Sequence, residues 1–253
     1  MALGPQRLPN GLRVMRVDPG ETAAIYREVF VEESYVTDGF PAAEPDVIVD
    51  VGANIGLASI FFARRHPGAF VIAAEPAPEP YAALRQNLAR YVPSGVARNV
   101  AVAERNGTRR FGYYPDAPAE SGFYADRARE IELARQVLVR NGVPERDAAR
   151  LAQARHRLEH LECPTVTLST LIREEGVDRV DLLKIDVERG ELDVLAGIAE
   201  ADWGRIGHLV LEVHDVAGRL AHVVSLLRDR GFHVEVRQEG RLAGTDMHLL
   251  YAT

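Results

Sequence analysis

The chain has little of what marks several classes of protein. Its 253 residues include one cysteine, Cys163, which excludes an intramolecular disulfide and a cysteine-based zinc site. Lysine and arginine total 30 against 37 acidic residues, so the net charge of −7 lacks the basic excess typical of nucleic-acid-binding proteins. No apolar run reaches the roughly 18 residues of a membrane span. The first residues lack the apolar segment of a secretory signal, so we expect a cytoplasmic protein with no nucleic-acid or membrane partner.

Short apolar runs alternate with amphipathic stretches along most of the chain. Between the runs, apolar residues recur at helical spacing, as Leu84 and Leu88 do. This alternation predicts an α/β fold with a doubly wound, Rossmann-like and mostly parallel sheet, whose strands end at one ligand-binding edge. The predicted strands span residues 46–51, 70–74, 96–102, 180–186, 208–213, 232–236 and 247–251.

Two regions depart from this alternation. Residues 1–45 form an N-terminal extension with a helix near 21–32, ahead of a domain that we expect to span 46–253. Within that domain, residues 112–162 form an insertion with two helices, at about 126–140 and 144–161. An insertion at the ligand edge of a sheet predicts a lid, and a helical buttress packed elsewhere is the alternative.

The loop after the first strand reads DVGANIG, over residues 50–56. A glycine turn before a helix lets a ligand approach the backbone. The dinucleotide fingerprint requires glycines where this chain has Asn54 and Leu57, so a pyrophosphate would lose its close-approach site. S-adenosylmethionine has no pyrophosphate and does not need those glycines.

The second strand ends in Glu75 and Pro76. Glu75 follows Gly52 by 23 residues, which is near the spacing at which a carboxylate binds ribose hydroxyls. The alternative is a strand-end glutamate in solvent. The glycine turn and the acid together favour binding of an adenosyl ribose.

The fourth strand carries charges at its end. Strand alternation puts Lys184 and Asp186 on one face, and a buried charge is costly unless it is paired. We therefore expect Lys184 to pair with Asp50 or Asp186, the alternative being that it reaches solvent. Asp186 and Glu188 are expected at the ligand edge, near the reacting group.

The fifth strand ends with Glu212 and His214 on one side. Histidine is suited to accept a proton near neutral pH, and Glu188 or Glu212 is placed to orient its ring. A structural histidine is the alternative. A divalent metal on Asp186, Glu212 and His214 is a competing interpretation, but no spacing requires it, and we expect no metal.

Several runs resemble the FkbM-type S-adenosylmethionine-dependent methyltransferases. These are VIVDVGANIGLASIFFA, FVIAAEPAPEPYAALRQNL, VDLLKIDVERGELDVLAGI and HLVLEVHD. The segments LPNGLRV and GYYPDAPAESGFY are similar to the forms associated with polyketide and nonribosomal peptide biosynthesis. The resemblance implies a seven-stranded class I sheet with an antiparallel last strand, and O-methylation of a hydroxyl that leaves S-adenosylhomocysteine as product.

The resemblance also implies positions for the cofactor. Glu75 and Pro76 would bind ribose, and Asn99, Val100 and Ala101 would border adenine. One local departure is Arg189, which stands where the family often has a small residue. The methionine end would be lined by the glycine turn, through Asp50, Gly52, Ala53, Asn54 and Gly56.

We therefore predict an O-methyltransferase of secondary metabolites with His214 as general base and Asp186, Glu188 and Glu212 beside it. The acceptor is a small hydroxylated molecule, either free or tethered to an acidic carrier protein. N- or C-methylation on the same scaffold and a non-catalytic adenosyl-binding protein are the alternatives. The expected acceptor contacts are the aromatic side chains Tyr113, Tyr114, Phe123 and Tyr124, with core packing as their alternative. Candidate contacts for a carrier are Arg127, Arg129, Arg135, Arg140, Arg146 and Arg150.

Overall fold

The computed structural model describes residues 3–37, 39–41, 44–140, 142–238 and 245–253. Short strands alternate with helices over most of these ranges. The strands are β1 (Gly4–Arg7), β2 (Arg13–Arg16), β3 (Val47–Val51), β4 (Phe70–Ala74), β5 (Gly95–Arg98), β6 (Ala101–Val102), β7 (Gly107–Tyr113), β8 (Glu159–Val166), β9 (Val180–Ile185), β10 (Ile206–His214), β11 (Val234–Arg237) and β12 (Met247–Ala252). The α-helices are α1 (Pro19–Tyr26), α2 (Leu57–Arg65), α3 (Pro78–Tyr91), α4 (Arg127–Arg140), α5 (Glu145–Arg155), α6 (Leu168–Glu174), α7 (Glu191–Ala196) and α8 (Arg219–Asp229).

Seven strands form the central sheet, in the order β5-β4-β3-β9-β10-β12-β11. The strands from β5 to β10 are parallel, whereas β12 lies antiparallel between β10 and β11. This confirms the predicted doubly wound sheet with an antiparallel last strand. The direction of winding reverses between β3 and β9, so a ligand site is expected at the carboxyl ends of these two strands.

The central strands are buried on both faces because their side chains alternate between two hydrophobic clusters. Ile48 and Leu182 belong to one cluster, and Val49 and Leu183 belong to the other. Helices α2 and α3 cover the first face together with apolar residues of the N-terminal segment, and α6, α7 and α8 cover the second. The division of the chain at residue 45 stays a prediction.

The N-terminal helix has a regular start and an irregular end. The Asp18 carboxylate caps α1 by accepting a hydrogen bond from the Glu21 backbone N–H at 2.7 Å, and Pro19 occupies the first helical position. After Tyr26 the chain continues as a π-helical turn, Arg27–Val31. None of the helices in the described ranges is long and apolar enough to cross a membrane.

A second sheet, with the order β6-β8-β7, carries the insertion. β7 and β8 pair antiparallel, and α4 and α5 lie between them in the chain. The prediction of a helix over 144–161 is wrong at its end, because α5 ends at Arg155 and β8 begins at Glu159. Exposed and less exposed side chains alternate from the start of β8, which is the pattern of a strand rather than of a helix.

The predicted strand over 96–102 is wrong at its centre. β5 ends at Arg98 in the central sheet, and β6 begins at Ala101 in the second sheet. The Asn99 side-chain amide donates to the backbone carbonyls of Glu75 at 2.9 Å and Pro76 at 3.0 Å. These bonds take the place of the backbone hydrogen bonds that would continue the pairing of β5 with β4. The other six predicted strands are confirmed within two residues at each end.

Candidate active site

The turn after β3 brings two loops into direct contact. Gly52 has a φ of +76°, and a Cβ at this position would lie only 1.7 Å from the Asp186 carbonyl oxygen. Gly56 has a φ of +88° and directly precedes α2, and a Cβ at this position would lie 2.7 Å from Leu84 Cδ1. Glycine is therefore required at both positions, and the loops after β3 and β9 meet at the switch point.

A cavity of about 230 Å³ opens at this edge of the sheet. The glycine turn, the loops after β4 and β9, the N-terminal segment and the beginning of the insertion all contribute to its wall. The wall includes Ile25, Glu28, Val29, Tyr35, Gly52, Ala53, Asn54, Glu75, Pro76, Val100, Ala101, Pro118, Ala119, Ser121, Phe123, Lys184, Asp186, Glu188 and Glu212.

Lys184 is paired, as the sequence predicts. Its ammonium lies 3.0 Å from Asp50 Oδ1 and 3.5 Å from Asp186 Oδ2, and it donates to the Gly52 carbonyl oxygen at 2.9 Å. Burial alone would lower the pKa of Lys184, but the two carboxylates more than offset it and raise the pKa. A fixed positive charge therefore supports the glycine turn, with Asp50 buried beneath it.

The Glu75 side chain is held by backbone N–H groups of the loop after β3 and of its own loop after β4. Its carboxylate accepts hydrogen bonds from the N–H groups of Asn54 at 2.9 Å and Ala77 at 2.8 Å, and only 7% of the residue is exposed. Burial raises its pKa to about 7, although the two N–H groups oppose this. The carboxylate is thus rigidly oriented at the cavity wall, and Val100 and Ala101 lie on the same wall.

Glu188 and His214 form a pair at the other side of the site. His214 Nε2 lies 3.2 Å from Glu188 Oε2. Glu188 belongs to the cavity wall, whereas His214 lies behind it. Burial raises the pKa of Glu188 to about 7, with His214 opposing the rise. Burial alone would lower the pKa of His214, but Glu188, and to a lesser degree Glu212, raises it to about 9.

The N-terminal segment contributes residues that the sequence analysis missed. The Tyr35 hydroxyl lies 3.0 Å from Asp186 Oδ2 and 3.1 Å from Glu28 Oε1, and both Tyr35 and Glu28 belong to the cavity wall. Glu28 lies in the π-helical turn. The sequence has no spacing that connects these residues to the strand ends, because their contact depends on how the segment packs.

Of the four aromatic side chains predicted to contact an acceptor, Phe123 lies on the cavity wall. The three tyrosines are not among the residues that line this cavity, and their contact with an acceptor stays a prediction. Tyr113 donates to Glu79 Oε2 at 2.7 Å, and Tyr124 donates to Asp193 Oδ1 at 2.9 Å. Tyr114 is fully buried with its ring against that of His156.

A metal site on Asp186, Glu212 and His214 is the competing interpretation of these residues. Among the described residues, no group of three or more histidine, cysteine, aspartate or glutamate side chains is arranged to hold a metal ion. Asp186 instead contacts Lys184 and Tyr35, and His214 contacts Glu188.

The chain matches a known family over most of its length. Residues 50–234 match the family model described as the methyltransferase FkbM domain. The chain belongs to the FkbM methyltransferase family. The match begins at Asp50, so the residues of the N-terminal segment that line the cavity lie outside it.

Two similar proteins and one solved structure illustrate what the chain resembles. The 31-O-demethyl-FK506 methyltransferase FkbM of Streptomyces tacrolimicus is 45% identical over 97% of this chain and 95% of its own length. The AMB antimetabolite synthetase AmbE of Pseudomonas aeruginosa is 39% identical over 97% of this chain, which spans only 12% of AmbE. The crystal structure of a methyltransferase FkbM from Methylobacillus flagellatus shares the fold, with a TM-score of 0.55 and 16% identity over 89% of this chain and 47% of that one.

This FkbM-family chain is therefore an S-adenosylmethionine-dependent methyltransferase. The residues at the site fit that cofactor. Glu75 offers a rigid carboxylate for hydroxyl groups, and the glycine turn presents unbranched backbone beside Asp186. The small side chains of Val100 and Ala101 leave an apolar wall beside Glu75.

Proposed function

We propose that the protein is an O-methyltransferase that acts on a hydroxyl group of a secondary metabolite. The observation that carries the proposal is the pair formed by Glu188 on the cavity wall and His214 behind it, 3.2 Å apart. A neutral hydroxyl is a poor nucleophile, so its methylation needs a group that accepts the proton. The name of the Streptomyces relative, which describes transfer to an oxygen, supports the same chemistry.

We propose His214 as the general base, acting through Glu188. We propose that the other oxygen of the Glu188 carboxylate receives the proton of the acceptor hydroxyl. Oε2 of the same carboxylate contacts His214 Nε2, so a neutral imidazole can take up a proton from there. Glu188 raises the pKa of His214 to about 9, so the imidazole is neutral and able to accept this proton only as the pH approaches that value.

We assign the cofactor contacts by position. Gly52, Ala53 and Asn54 would hold the methionine end, Glu75 and Pro76 the ribose, and Val100 and Ala101 the adenine. Gly56, Asp50 and Asn99 would act from behind the wall, through packing, the Lys184 pair and the hydrogen bonds to the Glu75 and Pro76 carbonyls. When bound, S-adenosylmethionine supplies a methyl group on a sulfonium. The residues of the chain orient the acceptor, exclude water and hold the proton.

We propose that the helical insertion acts as a lid on the acceptor side. Pro118, Ala119, Ser121 and Phe123 come from its beginning and belong to the cavity wall. The Glu21 carboxylate in α1 joins this region to the N-terminal helix, because it accepts from the Ala119 N–H at 3.3 Å and from Arg155 at 3.0 Å. Phe123 is the candidate apolar contact for the acceptor.

The acceptor can be a free metabolite or one tethered to an acyl or peptidyl carrier protein. The match to a segment of AmbE, a synthetase, favours the tethered form. The arginines of the insertion give weaker support, since several of the six predicted contacts are paired within the chain. Arg129 pairs with Asp246, Arg135 with Glu132 and Glu145, and Arg150 with Asp147.

Analysis of a labelled product tests the proposal. The protein is incubated with S-adenosylmethionine carrying a ¹³C methyl group and with 31-O-demethyl-FK506 or a hydroxyacyl thioester on a carrier protein. We expect the label as a methyl ether. A label on nitrogen or carbon would instead support the alternative transfer on the same scaffold.

A further inference from the structure

Two consecutive residues beside the cavity have backbone conformations that are unusual for their type. Glu188 has a φ of +48° and Arg189 a φ of +69°, and neither is glycine. Such a backbone conformation is strained in a residue with a side chain and persists only where surrounding contacts hold it. Glu188 belongs to the cavity wall and contacts His214. The contacts that hold this dipeptide therefore decide where the Glu188 carboxylate lies.

The first set of contacts comes from α7 and α8. Glu191 Oε1 accepts a hydrogen bond from the Arg189 backbone N–H at 3.0 Å, and Glu191 is completely buried. Its other oxygen lies 3.5 Å from an Arg219 guanidinium nitrogen. These contacts restrain the backbone of Arg189 but leave its side chain to be held by another element.

That element is the helical insertion. The Arg189 guanidinium pairs with the Glu130 carboxylate of α4, and each side chain is only 8% exposed. Both charged groups are shielded from water. Loss of one partner would therefore leave an uncompensated buried charge. Glu132, one half-turn further along α4, makes an ion pair with Arg135 in which it is about half exposed.

The insertion also touches Glu188 directly through Gly122. A Cβ at Gly122 would lie 3.0 Å from the Glu188 carbonyl oxygen and 3.2 Å from Glu188 Cβ. The backbone of the insertion thus packs on one residue of the strained dipeptide while Glu130 holds the other.

We propose that Glu130 and Arg189 are positioning residues, through which the helical insertion holds the Glu188 carboxylate on the cavity wall and against His214. The proposal rests on the proposed function, since it concerns how its proton-accepting pair is assembled. With the ion pair broken, the dipeptide can relax to negative φ and carry the Glu188 side chain away from His214. The pair is therefore complete only when the insertion is seated on the core.

The pKa of His214 reports whether the Glu188 carboxylate lies beside its ring. The imidazole faces the carboxylates of Glu188 in the loop after β9, Glu191 of α7 and Glu212 of its own strand, and Arg219 of α8 bears on it through Glu191. Across the sheet it is paired in register with Met247 of β12. Glu188 is the carboxylate that contacts the ring, so its displacement lowers the affinity of His214 for a proton.

The experiment is an NMR titration of the histidine side chains, with the His214 signal assigned from its loss in His214→Gln. No acceptor is needed. We expect Glu188→Gln to lower the pKa of His214 from about 9 toward the ordinary value of about 6.5. We expect Glu130→Gln to move it at least half as far. The matched control is Glu132→Gln, the same substitution on the same helix, which should leave the titration unchanged.

A double variant protects the test against misfolding. Glu130→Gln with Arg189→Gln removes both buried charges, which proteins tolerate far better than loss of one partner. It should fold and show the same fall in the pKa of His214. An unchanged titration in this variant and in Glu130→Gln, together with a fall in Glu188→Gln, overturns the positioning role.

Titration and methyl-transfer rate together distinguish a wrong positioning role from a wrong general base. If Glu188→Gln leaves the titration of His214 unchanged, the pair does not exist and both proposals are overturned. If Glu188→Gln and Glu130→Gln both change the titration but Glu188→Gln transfers methyl groups at the wild-type rate, the positioning role stands and the proposed base is wrong.

Discussion

Lys184 and Asp50 face each other across two neighbouring parallel strands. They are register partners in β9 and β3, and their charged atoms are 3.0 Å apart with side chains 3% and 0% exposed. The Ser59 hydroxyl donates to the second Asp50 oxygen at 2.6 Å. The switch point of the sheet is thus fixed by a buried ion pair that also supports the Gly52 carbonyl.

Loss of the ion pair between Lys184 and Asp50 should lower the stability of the fold. Lys184→Met leaves the Asp50 charge buried without its partner, and we expect the free energy of unfolding to fall by about 3–5 kcal/mol. Urea denaturation measures the change. Arg205→Met is the control, because Arg205 and Asp202 form an ion pair with Arg205 half exposed, and its loss should cost less than about 1 kcal/mol. Equal decreases in the free energy of unfolding of the two variants would show that the buried pair stabilises the fold no more than the partly exposed pair does.

Glu75 should control affinity for the adenosyl ribose. Glu75→Gln removes a charged acceptor, and we expect binding of S-adenosylhomocysteine to weaken about 10- to 100-fold in calorimetric titration. Glu104→Gln, on the surface, is the control and should bind normally. Unchanged affinity in Glu75→Gln would remove its ribose role.

The same residue gives binding a predicted pH dependence. Burial raises the pKa of Glu75 to about 7, so the carboxylate becomes protonated as the pH falls through that value. Affinity of the wild-type protein for S-adenosylhomocysteine should therefore decrease below neutrality. The curve should be flatter in Glu75→Gln, which has no proton to gain, and parallel curves would show that another group titrates.

Methyl transfer should need no divalent metal. Asp186 contacts Lys184 and Tyr35, Glu188 contacts His214, and no three potential ligands among the described residues are grouped around a common point. We expect the rate to survive treatment with a chelator. A loss that magnesium restores would revive the metal interpretation of Asp186, Glu212 and His214.

Most of the fold could be predicted because short sequence patterns mark its strands and helices. Apolar runs such as residues 46–51 and 180–186 mark strands buried on both faces, and their alternation with helices determines the sheet. The second sheet was missed because both strands are mixed in polarity, with two arginines in β7 and two glutamates in β8. The β1–β2 hairpin was missed for a similar reason, although Asn10-Gly11 between its strands is a turn signal.

The site was predictable where residues follow the strand ends directly. Glu75, Asp186 and Glu188 reach the cavity wall for that reason, and Lys184 could be paired from the cost of burying a charge. Tyr35 and the Glu130–Arg189 pair could not be foreseen. Their partners are brought near by the packing of the N-terminal segment and the insertion, which leaves no regular spacing in the sequence.

We propose that His214, through Glu188, accepts the proton of the acceptor hydroxyl. The most direct test compares methyl-transfer rates of the wild type, His214→Ala and Glu188→Gln at saturating cofactor across neutral to alkaline pH. We expect His214→Ala to bind S-adenosylhomocysteine normally but to transfer about 10²–10⁴-fold more slowly. The wild-type rate should rise as His214 loses its proton toward about pH 9, and Glu188→Gln should be slowed as well. Near-normal transfer by either variant would show that this pair does not accept the proton.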